Sequence, residues 1–257
     1  MHETTGDAAP TPIRRPTSRL ALLGFALAVL AALAAMASGL GYRWGFWGLG
    51  AAFTTLKWAA YGGVAAAGVS LLGAISTRAG ARRGGLALAV LGLVVGLVTA
   101  WVPWQWRQRA ERVPPIHDIT TDTADPPLFE AVMPLREDAP NPSAYGGDSI
   151  ARMQREAYPG IEPLTLEAGP EEAFDRALEA AREQGWEIHA ADPDEGRIEA
   201  TDTTFWFGFE DDVVVRVTPA DGGSRIDVRS VSRVGRSDVG TNAERIREYL
   251  DAVRRTG

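Results

Sequence analysis

The order of apolar and polar positions divides the chain into two regimes. The first holds three apolar stretches with no polar face: Leu20 to Leu40, Ala51 to Ile75 and Gly84 to Trp104. The first and third carry no charge, and the second holds only Lys57, with Thr54 and Thr55 beside it. Each is near the roughly 20 residues that a helix needs to cross a bilayer core. Three in succession argue against buried helices of a soluble globule. The second span begins before Lys57, whose ammonium can reach back to the interface. Residues 1–19 are polar and aperiodic, which predicts a disordered arm. Val113 to Glu167 is rich in proline and poor in pattern, with one short helix predicted over Ser149 to Tyr158. So long a loop reads as part tether and part strap over a globular core.

A regular pattern starts at Gly169. Pro170, Glu171 and Glu172 suit a first helical turn, and Phe174, Ala177, Leu178 and Ala181 share one helical face. Gly185 is a natural stop. Trp186, Ile188 and Ala190 then alternate as in a strand, and Asp192 to Gly196 is turn chemistry. Arg197 to Phe209 is predicted to be extended, ending in the aromatic run Phe205 to Phe209 with its Phe residues on one face and Trp206 on the other. Asp212 to Thr218 is a Val-rich strand. Asp221 to Gly223 turns the chain. Ser224 to Ser232 alternates, with Ile226 and Val228 on one face and Arg225, Asp227 and Arg229 on the other. Thr241 and Glu244 have capping-box spacing for a last helix with Ala243, Ile246, Leu250 and Val253 as its buried stripe. The fold predicted is a membrane-anchored α+β protein. Three N-terminal transmembrane helices precede an antiparallel sheet of about four strands with two helices on one face. The division is an arm over 1–19, a three-helix membrane region over 20–106, a Pro-rich linker or strap over 107–168 and an α+β core over 169–257.

Charge adds orientation. Residues 1–112 hold 11 Lys and Arg against 3 Asp and Glu, and residues 113–257 hold 15 against 30. An acidic globular half disfavours nucleic acid as a partner. Arg14, Arg15 and Arg19 before the first span, with Arg78, Arg82 and Arg83 between the second and third, put the arm and the second loop in the cytoplasm. The acidic half then lies outside. Arg107, Arg109 and Arg112 argue the other way. Trp44, Trp47, Trp58, Trp101, Trp104 and Trp106 put loop one and the end of span three at a shared interface. A signal peptide rivals the first span, because Ala35 to Ala37 resembles a cleavage site, but its apolar run is long for one. The glycine pair Gly92 and Gly96 reads first as packing among the spans and second as a dimerisation face.

Candidate chemistry is sparse. The chain has no Cys, so thiolate catalysis and Cys-based zinc sites are excluded. The spans lack Asp, Glu, His and Arg, which disfavours a transporter. His117 beside Asp118, with Asp122 and Asp125 following, could do acid–base work. The plainer reading is a Pro-rich strap whose His and Asp cap turns, and His189 reads as a solvent-facing strand residue. Arg233, Arg236 and Asp238 feed the last helix and form the anion- or ligand-binding candidate. Their plainer reading is an Arg–Asp brace. No metal site and no cofactor is expected.

Two segments, His117 to Asp122 (HDITTD) and Ser232 to Ile246 (SRVGRSDVGTNAERI), resemble the hallmarks of the bacterial domain-of-unknown-function family 1499. The resemblance covers about residues 114–253. It implies an envelope-associated α+β domain and no established reaction, and it lends no catalytic residues. The function expected is a non-catalytic binding or accessory module of the cell envelope. Its partners would be the lipid bilayer and an envelope protein, a lipid or a small anion. The alternative is an envelope hydrolase or metal-dependent enzyme using His117 and Asp118.

Overall fold

The computed structural model describes residues 16–78 and 83–256. They form two compact units. One comprises residues up to Trp104 apart from Tyr42–Trp44, and the other comprises Tyr42–Trp44 and the chain from Gln105 onward. Most of the predicted arm, including Arg14 and Arg15, and Arg82 of the second loop lie outside the described residues.

The first unit is built from α1 (Arg19–Arg43), α2 (Leu49–Ser76) and most of α3 (Leu86–Arg112), each long and apolar enough to cross a membrane. Its side chains are sorted for an apolar solvent. Small residues are buried, among them Gly24, Ala28, Gly63, Ala67, Ala89 and Gly92. Leu22, Leu30, Leu72, Val94 and Leu97 point outward and are more than half exposed. A Cβ at Gly92 would lie 2.5 Å from Ser70 Oγ, and one at Gly96 2.6 Å from the Gly63 carbonyl oxygen. The glycine pair is therefore spent on packing among the three helices. Lys57 lies two turns inside α2, its ammonium 5.8 Å from the Trp58 ring centroid.

The globular unit is α+β. Its sheet comprises β1 (Asp118–Thr120), β2 (Leu164–Leu166), β3 (Glu187–Asp192), β4 (Arg197–Thr203), β5 (Glu210–Ala220) and β6 (Gly223–Ser232). All pairings are antiparallel, in the order β1-β6-β5-β4-β3, and β2 shares the outer edge of β6 with β1. The sheet is open and has six strands where the alternation predicts four. The two additional strands are three residues long, too short to show a period, and exist only by pairing with β6. The outer edge of β1 is satisfied by α4 (Gly147–Ala157): buried Gln154 accepts from the Thr120 N–H at 3.0 Å and donates to its carbonyl at 2.6 Å. One side chain thus stands in for a further strand.

Helices α5 (Pro170–Glu183) and α6 (Thr241–Arg255) cover one face. Phe174, Ala177, Ile246, Tyr249 and Val253 meet Ile198, Val213, Val215, Ile226 and Val228 there in a single core, with Ile150 and Met153 of α4 at its margin. Trp186 stacks on Tyr249 at 4.8 Å, and the Tyr249 hydroxyl donates to the Ala177 carbonyl.

Three local expectations change. The run Phe205 to Phe209 is a turn, not the end of a strand. Gly208 adopts φ +67°, and its N–H donates to the Thr204 carbonyl, closing the chain into the β4–β5 hairpin. The cap of α6 is Gly240, not Thr241, and Glu244 pairs with Arg109 in place of closing a capping box. Ser224, which begins the last strand on the face of Ile226 and Val228 and beside a turn, is fully buried and donates to the Ala168 carbonyl, so it is no surface position.

Candidate functional site

The second face of the sheet is neither apolar nor wet. Strand alternation places Glu199, Thr201, Asp212, Val214, Arg216, Arg225, Asp227, Arg229 and Val231 on it. A strap running from Thr121 to about Tyr145 lies across these residues. Its apolar grip is small: Phe129 and Val132 packed on Val214 and Val231. The remaining contacts are ionic and hydrogen-bonded.

Arg229, with no exposed surface, is the centre. Its Nε and Nη2 donate to the two Asp118 oxygens at 2.9 and 2.8 Å, and its remaining donors reach the Pro127 and Ser143 carbonyls. The rings of Phe129 and Tyr145 flank its guanidinium at 5.2 and 5.5 Å. Such a pair is tolerated in the interior because the fork geometry satisfies both charges at once. Burial, with the Asp118 charge adding to it, pushes the Tyr145 phenol up to about 12.

The acids of the strap then match the arginines of the sheet. Asp122 accepts from Arg225 at 2.6 Å, Asp125 from Arg216 at 2.9 Å, and Glu130 pairs with Arg197. Asp227 joins Arg225 and Arg216 from below, at 3.0 and 3.3 Å. Buried Glu199 takes the backbone N–H groups of Glu130 and Val132 and so pins the strap directly. The strap also sends one cation inward: Arg136 pairs with Asp212, which further accepts from Arg233 and from Thr201. Burial alone would raise the Asp212 carboxyl, but the Arg233 and Thr201 hydrogen bonds and the Arg233 and Arg136 charges outweigh it and hold it below the ordinary range. Asp122 is held low in the same way, burial being outweighed by the Asp125 and Ala124 N–H groups and by Arg225.

The residues singled out by sequence fall in three places. His117 and Asp118 are consecutive in an edge segment, so their side chains take opposite directions. Asp118 goes to Arg229, while the His117 carbonyl accepts from Ser232 N–H and Asn242 Nδ2. The structure does not bring the two side chains together. His189 Nε2 is 2.8 Å from Thr201 Oγ1, which donates to Asp212, so His189 is tied to the network. Arg233 belongs to that network through Asp212 and Glu210. Asp238 faces the N-terminus of α6, where it accepts from the Gly240 and Asn242 N–H groups. Burial pushes its carboxyl up, and the Asp211 charge adds to this against the pull of those N–H groups and Arg245. Arg236 is exposed, and no ion pair ties it to Asp238 among the described residues. The loop brace is therefore an Asp-to-backbone cap, and the carboxylate takes the position where an external anion would bind.

Sequence reasoning passed over Arg229, Asp212, Glu199 and Arg136. The signal available was the charged alternation in Ser224 to Ser232, but nothing local marks that face as covered. A cleft of about 260 Å³ opens at the strap margin, lined by Pro127, Leu128, Glu130, Glu195, Arg197, Val214 and Arg216. Its two arginines are already paired with Glu130, Glu195 and Asp125. No group of three or more His, Cys, Asp or Glu suited to a metal ion occurs among the described residues.

A family model described as "Protein of unknown function (DUF1499)" matches residues 118–253, more than half of the chain. The match begins at the Asp118 that pairs with Arg229 and ends in the last turns of α6. No curated protein and no solved structure matches the chain.

Proposed function

The chain belongs to the DUF1499 family of proteins of unknown function, and from that premise we propose that it is a non-catalytic binding or accessory module of the bacterial cell envelope. In this reading the three helices anchor it in the inner membrane, N-terminus inside, and present the acidic α+β unit to the periplasm. The observation that carries the binding reading is the arrangement of the strap-covered face. Its buried carboxylates and most of its guanidinium donors are paired with one another and with backbone groups, Arg136 Nε and Arg197 Nε being the exceptions, so their chemistry goes chiefly into holding a surface in shape. A catalytic group must instead meet a substrate. The arginine distribution around the spans supports the orientation.

Orientation is tested by labelling, and the absence of native Cys makes single-Cys variants clean reporters. Ser224 is buried and unsuitable, so the outer reporter is Asp221→Cys at the exposed β5–β6 turn and the inner one is Arg78→Cys. In intact spheroplasts an impermeant maleimide is expected to label position 221 and to label position 78 only after lysis. The reverse pattern overturns the orientation. Labelling of both positions in intact cells overturns the topology.

A further inference from the structure

The β4–β5 hairpin tip ends the sheet in an aromatic cluster that the strap network does not use. Phe207 stacks on Phe209 at 5.1 Å, and Trp206 meets Phe207 edge-on at the same distance. The turn is fixed: the Thr204 N–H donates to the Phe209 carbonyl, and the Phe209 N–H to Thr204 Oγ1. On this rigid support Phe205 stands 86% exposed, more than any other large apolar side chain described. Phe205 is thereby held as an exposed apolar side chain on an ordered turn, above buried Phe207 and half-buried Trp206 and Phe209.

The unit itself shows which end of the sheet carries this tip. Arg109, in the last turns of α3, pairs with Glu244 in the first turn of α6. That end of α6 is bonded to β6 through Asn242 and Ser230. The end of β6 pairs with the start of β5, Ser232 opposite Asp211, and the start of β5 is where the tip attaches. The α3 segment leaving the apolar stretch, with Trp106 at its surface, and the aromatic tip therefore share one end of the sheet. The β5–β6 turn at Asp221 and Gly222 lies at the other end, about 35 Å away along the 11 residues of β5. Trp suits the headgroup level, and Phe suits an apolar surface buried at the boundary between headgroups and acyl chains.

We propose that the tip Thr204 to Phe209 inserts into the interfacial layer of the bilayer that anchors the chain, with Phe205 as the inserted side chain, and fixes the α+β unit to the membrane surface by its β4–β5 end. The inference rests on the membrane reading but not on which side the domain occupies. Its test uses the full chain with a nitroxide at Phe205→Cys or at Asp221→Cys, reconstituted in vesicles of phosphatidylcholine and phosphatidylglycerol. Accessibility to oxygen relative to a water-soluble nickel chelate is expected to be several-fold higher at 205 than at 221. Equal ratios at the two sites overturn the proposal. A label at 205 that is immobilised and shielded from both reagents also overturns it, in favour of a protein contact. Loss of the chain from the vesicles in alkaline carbonate would show instead that the membrane reading fails, and the proposal with it.

Discussion

Arg229, fully buried, and Asp118, nearly so, form a pair on which the strap, the outer strand and the sheet converge. Removing one partner leaves the other charged, desolvated and without its main contact, an effect of about 3–5 kcal/mol. Asp118→Ala in the full chain is expected to lose that much stability in denaturant unfolding. The double variant Asp118→Leu with Arg229→Met is expected to recover a large part of it, because two apolar groups need no partner. If the double variant is as damaged as the single, the Pro127 and Ser143 carbonyls that Arg229 also satisfies carry the cost in place of the ion pair. Arg236 gives the opposite expectation. It is exposed, and no ion pair holds it among the described residues, so Arg236→Ala is expected to change stability by no more than about 0.5 kcal/mol. Phosphate at constant ionic strength is expected to leave the melting temperature of both proteins unchanged. A rise in the native chain that vanishes in Arg236→Ala would establish an anion site there despite the Asp238 cap.

Among the elements, the three apolar helices and the last helix show how backbone approach and capping set position. A side chain at Gly96 would meet the Gly63 carbonyl, whereas one at Gly68 on α2 meets nothing within 4 Å. Gly96→Val is therefore expected to cost about 1–3 kcal/mol through overpacking and to lower the thermal-aggregation temperature in detergent. Gly68→Val is expected to leave that temperature nearly unchanged. Equal behaviour of the two would mean that the glycines do not set the helix approach. At α6 the carboxylate of Asp238 takes two of the N–H groups that open the helix. Asp238→Ala is expected to cost about 1 kcal/mol in unfolding measurements, the usual worth of such a cap.

At the scale of the whole molecule, the globular unit is a sheet between two unlike covers. The helical cover rests mainly on apolar burial, with Arg245 of α6 paired to Asp202 and Asp211, and is expected to depend less on pH. The strap cover rests on carboxylates, two of which, Asp122 and Asp212, are held below their ordinary value of 3.8. A depressed carboxyl favours the folded state above its unfolded pKa, and that contribution is lost as pH falls through the folded value. The strap is therefore expected to lose hydrogen-exchange protection below about pH 4, ahead of α5 and α6. Asp238, whose pKa is raised, acts in the opposite sense and favours the folded state as pH falls towards the ordinary range. Simultaneous loss of protection in strap and helices would show that the two covers unfold as one.

The separation between local and tertiary information is visible residue by residue. Three apolar runs, the helical stripes of α5 and α6, the turn at Asp192 to Gly196 and the alternation of Ser224 to Ser232 are written in consecutive residues, because helix and strand periods are local properties. The family motifs are legible for the same reason. The strands β1 and β2 are not, since three residues carry no period and become strands only against β6. The candidate site is divided in the same way. Arg233 and Asp238 stand out by sequence, but Arg233 is drawn to Asp212 and Asp238 to the backbone of α6, and Arg236 is left outside. Whether the face with Arg225, Asp227 and Arg229 meets water or protein depends on a strap about 100 residues earlier in the chain. Its acids and the arginines of the sheet acquire partners only when the chain closes, so their pairing belongs to the tertiary structure alone.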